Sequence, residues 1–198
     1  MSKNIALHWF RQDLRLSDNP SLYHASKNNQ VLPIYILDNE NAGEFSMGGA
    51  SYFWLHHSLK DLKESLNQNL SIFQGDPLKT LLEIINRNNV TSVYWNRCYE
   101  PWRIKRDTQI KSKLESKGIS VFTYNGSLLW EPWTIKKNDG VPYKVFTAFF
   151  RKGCLNSKEP RKPLPRVNTS NFINDKNLSL NLSYLSLLPP VRWDIPME

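Results

Sequence analysis

The chain has little of what marks most catalytic, secreted or membrane-bound proteins. Its 198 residues include two cysteines, Cys98 and Cys154, with no spacing pattern. That excludes a disulfide framework and a cysteine-built metal site, and it fits a reducing, cytoplasmic setting. The eight glycines form neither GxGxxG nor a Walker sequence, so Gly48-Gly49 is no phosphate loop. No serine or cysteine stands in a nucleophile-elbow pattern that His56-His57 could serve, and nothing assembles a hydrolytic or redox active site. The apolar run Ile5–Phe10 is too short for a signal-peptide core or a membrane span, and no other segment reaches that length. No internal repeat is evident.

What the chain does have is alternation. Ile5–Phe10 reads as a strand, and Asp18-Asn19-Pro20 then offers a cap and a helix-starting proline, with the helix running to about Asn28. Val31–Leu37 is a second strand. Tyr52, Leu55, Leu59, Leu62 and Leu66 step by three and four along one face of a long amphipathic helix. Leu70–Gln74 is a third strand. Asp76-Pro77 repeats the cap-plus-proline device for a helix to about Asn88, and Ser92–Asn96 is a fourth strand. A helix from about Pro101 to Lys117 stops at Gly118, before a fifth strand at Ser120–Tyr124. Short strands that are apolar without alternation, separated by helices, imply right-handed crossovers and a parallel sheet covered on both faces. The predicted fold class is α/β: a Rossmann-like, doubly wound sheet of five parallel strands with flanking helices, followed by a long extended linker. The predicted boundary puts this domain at residues 1–130 and a basic, proline-rich linker at 131–198.

Eight of the twelve prolines lie beyond residue 130, which is the signature of an extended connection. The net charge of +8 is uneven: residues 97–130 carry seven Lys/Arg against three acids, and residues 131–170 nine against three. A basic second half suits contact with a polyanion or an acidic surface, and it equally suits plain solubilising charge.

In open parallel sheets ligands lie beyond the carboxyl ends of the strands. Two such segments are rich in polar groups. In "FRQDLRLSD" the charges Arg11, Asp13, Arg15 and Asp18 crowd the end of the first strand. Spacing alone favours their pairing with one another over a ligand-anchoring role for Arg11 or Arg15. In "WNRCYEPWRIKRD", Asn96, Tyr99, Glu100, Trp102 and Arg103 surround a strand-to-helix turn. Such a turn offers free amides, a stacking surface and a carboxylate for a heterocycle, and it also reads as an ordinary helix start with Glu100 near the positive dipole end.

Together these stretches resemble a known family. "WFRQDLRLSDNPSL" is similar to the WFRxDLRxxDNxxL opening of the DNA photolyase/cryptochrome family, and "GGASYFWLHHSLKDL", "QGDP", "YWNRCYEPWRIKRD" and "GVPYKVFTAFFRKG" follow in the family's order. The resemblance covers essentially the whole chain. It implies an N-terminal light-harvesting (antenna) domain followed by a linker, with a C-terminal helical domain that holds FAD and binds the pyrimidine dimer. The sequence stops as the linker ends, so the catalytic half is expected to be missing. This fragment of a deoxyribodipyrimidine photolyase-like lyase is expected not to repair DNA alone, and none of its seven Trp is assigned to the family's electron-transfer chain.

The resemblance also implies a chromophore site, read here as Phe10, Arg11, Asp38, Asn96, Tyr99, Glu100, Trp102 and Arg103, with Asp18 as a helix cap. The antenna is a reduced folate, a deazaflavin or an ordinary flavin such as FMN. Trp102 and Arg103 stand where the folate-binding type carries Asn-Glu, and Cys98 and Ser51 depart from the deazaflavin pattern. The flat surface of Trp102 beside Arg103 leans the reading to methenyltetrahydrofolate. The run Lys136–Arg166 is expected to face the helical domain or DNA phosphates, and Val145–Phe150 to expose apolar surface meant for a partner. A cryptochrome-type photoreceptor fragment is the first alternative. A stand-alone adenine-nucleotide module is the second, weakened by the missing phosphate loop.

Overall fold

The computed structural model describes residues 4–27, 30–191, 193 and 195. Five strands, β1 (Ile5–Phe10), β2 (Gln30–Leu37), β3 (Ser71–Gln74), β4 (Val90–Asn96) and β5 (Ser120–Tyr124), form one sheet in the order β3-β2-β1-β4-β5. Every pairing is parallel. The connections are helices α1 (Pro20–Ser26), α2 (Gly49–Ser65), α3 (Pro77–Asn88) and α4 (Pro101–Glu115). The predicted end of the first helix, Asn28, lies outside the described residues.

Both faces of the sheet are covered, which is why its strands lack polar alternation. On one face Ala6, Phe10, Val31 and Ile72 pack with Leu22 of α1 and with Leu55, Leu59, Leu62 and Leu66 of the amphipathic stripe on α2. On the other, Leu7, Trp9, Val93 and Trp95 pack with Leu81, Ile84 and Ile85 of α3 and with Ile110 and Leu114 of α4.

Helix starts follow the cap-plus-proline pattern with one correction. Asp76 caps α3, its carboxylate accepting from Lys79 N–H at 2.8 Å. On α1 the cap is Asn19 rather than Asp18: Asn19 has extended backbone and its Oδ1 accepts from Leu22 N–H at 3.2 Å. With proline at the first helical position, the cap must be the residue immediately before it. Asp18 instead has a positive φ of 48° and turns its carboxylate to Arg161 and to the Leu164 N–H.

Beyond Tyr124 the chain is irregular apart from a helical turn at Phe146–Ala148, a π-helical turn at Phe149–Cys154 and a 3-10 turn at Leu182–Leu185. From Leu164 onward it straps the domain. Val167 N–H donates to Leu16, Ile173 N–H to Val31 and Leu180 N–H to Ile72. Ser71 and Ile72 lie on the edge strand β3, so this strap satisfies backbone groups that an edge would otherwise expose. Val167, Phe172, Leu182, Leu185 and Leu187 complete the core on the α2 face.

Candidate functional site: a cleft walled by arginine and tryptophan

Sheet order reverses between β1 and β4, where doubly wound folds usually open a crevice. Here that point is filled. Asn96 at the end of β4 donates to Asp13 at 2.5 Å and to Asn19 Oδ1 at 2.8 Å, and accepts from Ser21 N–H at 3.2 Å. Asn19 Nδ2 also donates to Asp13, at 3.2 Å. All of these side chains are buried, and Gly126 lies so close that a Cβ there would stand 2.5 Å from Asn96.

The opening has moved one strand over. A cleft of about 420 Å³ lies past the ends of β1 and β2, walled by α2 and α4. Trp9, Arg11 and Gln12 come from β1 and its exit, Tyr35, Ile36 and Asp38 from β2, Ser51, Trp54 and Ser58 from α2, and Trp102, Arg103 and Arg106 from α4. Its size falls in the range of small-molecule sites.

Within "FRQDLRLSD" the bonds run through backbone groups, Arg11 N–H to the Asp13 carboxylate at 3.0 Å and Arg15 to the Asp18 carbonyl at 2.8 Å, while the side-chain ion pairs that spacing suggested go instead to elements that folding brings alongside. The Arg11 guanidinium bonds Asp107 on α4. Asp13 holds the Asn96 hub, and Arg15 donates to the carbonyls of Asp18 and Gly126.

Around the cleft, guanidinium and indole groups alternate. Arg103 lies 4.8 Å from the Trp102 ring centroid, and Arg106 lies 5.1 Å from both Trp102 and Trp9. Arg11 continues the series, 5.2 Å from Trp9 and 5.9 Å from Trp95. The edges of these guanidiniums are held by carboxylates. Arg106 donates to Asp38 at 2.8 Å and to Asp107 at 2.8 Å, and Arg103 lies 3.7 Å from Glu100. Burial disfavours the Arg106 charge, but Asp107 and Asp38 outweigh it and hold its pKa above the ordinary value. Burial likewise opposes ionisation of Glu100, yet hydrogen bonds from its own N–H and from Gln12, with the Arg103 charge, keep that carboxyl below its usual range.

Of the residues predicted for the chromophore site, Arg11, Asp38, Trp102 and Arg103 meet at this cleft. Glu100 stands beside it, accepting from Gln12 at 2.9 Å. Phe10 is fully buried in the core on the α2 side and does not line the cleft, and Asn96 belongs to the buried hub. Tyr99 turns away to Glu131 and lines a separate, smaller pocket with Cys98 and Trp133; burial and Glu131 push its hydroxyl up to about 12. Sequence reasoning missed Trp9, Trp54 and Arg106. Arg106 was within reach of periodicity, since it lies one helical turn beyond Trp102 on the same face of α4.

Cleft and topology together define a doubly wound, Rossmann-like domain with an arginine- and tryptophan-walled cleft past its strand ends. The DNA photolyase family model matches residues 6–168, and the chain belongs to that family, corresponding to its N-terminal domain. It is 38% identical over 187 residues to the deoxyribodipyrimidine photo-lyase of Agrobacterium fabrum, covering 91% of this chain and 38% of that protein. It is 37% identical over 161 residues to cryptochrome-2 of Arabidopsis thaliana, covering 79% of this chain and 26% of that one. A bacterial class III photolyase from Agrobacterium tumefaciens superposes with a TM-score of 0.85 at 34% identity, over 97% of this chain and 40% of that one. An archaeal photolyase from Sulfolobus tokodaii, described with two FAD molecules and as implying a novel light-harvesting cofactor, superposes with a TM-score of 0.76 at 25% identity, over 94% and 43% of the two chains. The chain thus spans between 26% and 43% of the length of these relatives.

Proposed function

We propose that this domain holds a light-harvesting chromophore in the arginine–tryptophan cleft and passes its excitation to FAD bound by a helical domain of the photolyase type, whose substrate is damaged DNA. The observation that carries this reading is the cleft itself: an open site of about 420 Å³ past two strand ends, with indole groups at Trp54 and Trp102 and with cations rather than a nucleophile and base. A conjugated heterocycle gains stacking and cation–π contact from such walls. Trp102, Arg103, Arg11 and Asp38 are its first contacts, and Glu100 can accept from a ring N–H at the rim. The filled crevice between β1 and β4 disfavours the nucleotide-module alternative, because a phosphate there would meet the Asp13 carboxylate.

Methenyltetrahydrofolate is the leading ligand class, for the flat Trp102 beside Arg103 and the Glu100 carboxylate. The second class is a flavin-type chromophore such as FMN or deazaflavin, supported by the light-harvesting cofactor ascribed to the Sulfolobus tokodaii relative. A cryptochrome-type signalling role shares this site, as the match to cryptochrome-2 suggests. The chain alone carries no catalytic centre for repair in this reading, and it works in the cytoplasm. The test is an absorbance and fluorescence titration of the purified chain with methenyltetrahydrofolate, deazaflavin and FMN in turn. Stoichiometric uptake of one, weakened roughly 5- to 150-fold by Trp102→Ala, is expected on the loss of a stacking contact of about 1–3 kcal/mol. Uptake of none of the three would overturn the reading.

A further inference from the structure

The walls of the cleft pose a problem for light harvesting. Indole is the most readily oxidised of the aromatic side chains that commonly line binding sites. A photoexcited chromophore beside it would take one electron, leaving a one-electron-reduced chromophore and an indole radical cation. The electron then returns, and the excitation is lost as heat. Two of the cleft's tryptophans, Trp9 and Trp102, differ from ordinary wall residues in being stacked with cations.

We infer that the alternating series Arg103, Trp102, Arg106, Trp9, Arg11 and Trp95 makes these tryptophans poor electron donors, so that a chromophore seated on them keeps its excited state. The inference rests on the light-harvesting reading and adds a role for the arginines beyond binding.

Three features support it. First, each of these indoles has two guanidiniums over its ring: Arg106 at 5.1 Å and Arg11 at 5.2 Å from the Trp9 centroid, Arg103 at 4.8 Å and Arg106 at 5.1 Å from that of Trp102. Removing an electron from an indole so placed creates a third positive charge beside two others, most unfavourably at Trp9, where Arg11 and Arg106 are buried. The balancing carboxylates of Asp38, Asp107 and Glu100 pair with guanidinium nitrogens, while the guanidinium carbons lie over the indole rings. Second, Trp9 Nε1 is buried without a hydrogen-bond partner. An indole radical cation is an acid, and one with no base at its N–H cannot be trapped by losing its proton. Third, Trp9 and Trp95 are each 1% exposed and Arg11 and Arg106 are 7% and 8% exposed, so around Trp9 bulk water screens the cations little. Trp54, by contrast, is 59% exposed and has an edge contact with Phe53.

The inference is tested on the full chain with Arg103→Gln, at a side chain 19% exposed, and the buried Arg106→Gln, each beside its lysine counterpart. With bound methenyltetrahydrofolate or FMN, the wild type is expected to keep a fluorescence lifetime close to that of the free chromophore. Both glutamine variants should shorten it several-fold and give a tryptophan radical cation in transient absorption. Lysine, which restores the charge, should recover most of the lifetime, and adding Trp102→Phe to Arg103→Gln should recover it by removing the donor. An unchanged lifetime in Arg103→Gln, a quenched wild type, or a lysine variant that behaves like glutamine would each overturn the inference.

The second measurement needs no bound chromophore and separates this inference from the one it rests on. Photogenerated tris(bipyridine)ruthenium(III) in solution oxidises accessible tryptophan. The part of the radical yield abolished by Trp102→Phe should be several-fold larger in an Arg103→Gln background than in the wild-type background. Equal yields would defeat the insulating role even if no chromophore is taken up.

Discussion

His8 sits in the middle of β1, fully buried, with Nε2 2.8 Å from Ser21 Oγ and Nδ1 without a partner. Burial, opposed by Asp13 and aided by Arg11, lowers its pKa to about 4. The native imidazole is therefore neutral where the unfolded one, with a pKa near 6.5, already binds a proton. Stability is then full above about pH 6.5 and falls as the pH drops toward 4. By pH 5 the loss from this one group is about 2 kcal/mol. Chemical denaturation at pH 7 and pH 5 should show that loss in the wild type and its absence in His8→Gln, which keeps a polar group near Ser21; equal pH responses of the two would refute the assignment. A second residue-scale constraint is Gly126. A Cβ there would meet Asn96 at 2.5 Å, inside the hub that ties β1 to β4. Gly126→Ala is expected to destabilise by about 1–3 kcal/mol through overpacking. Since Asn96 rather than the cleft takes the strain, chromophore affinity in the folded fraction should be unchanged. Neither residue announces itself in the sequence: a histidine between apolar neighbours and a glycine after an asparagine look ordinary until the fold brings Asn19, Asp13 and Asn96 to one point.

The elements were the most legible part of this chain. Apolar strands without alternation and two cap-plus-proline starts sufficed, because each is a local device whose physics acts within a few residues. The stripe on α2 was legible for the same reason, whereas the shoulder of that helix that lines the cleft was not, since Ser51, Trp54 and Ser58 do not form an apolar repeat. Least legible was the strap. Its main contacts with the sheet are backbone hydrogen bonds to Val31 and Ile72, which any residue but proline can make. Its anchors, Leu182, Leu185 and Leu187, are buried to within 8% exposure in the α2-side core. A free linker would tolerate alanine at Leu185, but a strap that completes the core should lose about 2–5 kcal/mol. Urea denaturation of Leu185→Ala distinguishes these, and a change below about 0.5 kcal/mol, typical of a surface site, would mean that the strap is detached in solution. Because the strap also covers β3, the same variant should show faster amide exchange at Ile72 than the wild type, through local opening.

At the scale of the molecule, the cleft joins parts that the sequence keeps far apart: the exit of β1, the end of β2, the shoulder of α2 and the first turns of α4. Of the predicted chromophore contacts, Trp102 and Arg103 at the start of α4 and Arg11 and Asp38 just past strand ends met there, while Phe10 went to the α2-side core and Asn96 to the hub. Strand-end reasoning cannot tell which way a side chain turns once the chain leaves the sheet. A ligand that bridges β1, α2 and α4 binds the native state alone, so its binding must raise global stability. At a concentration one hundred times the Kd the gain is about 2.7 kcal/mol. For a domain of this size that is on the order of 5–10 °C in Tm. The rise should appear for whichever chromophore is taken up in titration, grow with ligand concentration, and shrink in Trp102→Ala and Arg103→Ala, whose unliganded Tm should stay near the wild-type value because both side chains lie at the cleft rather than in the core. A chromophore that fluoresces on binding without moving Tm would be held at the surface, and would place the light-harvesting site somewhere other than between these elements.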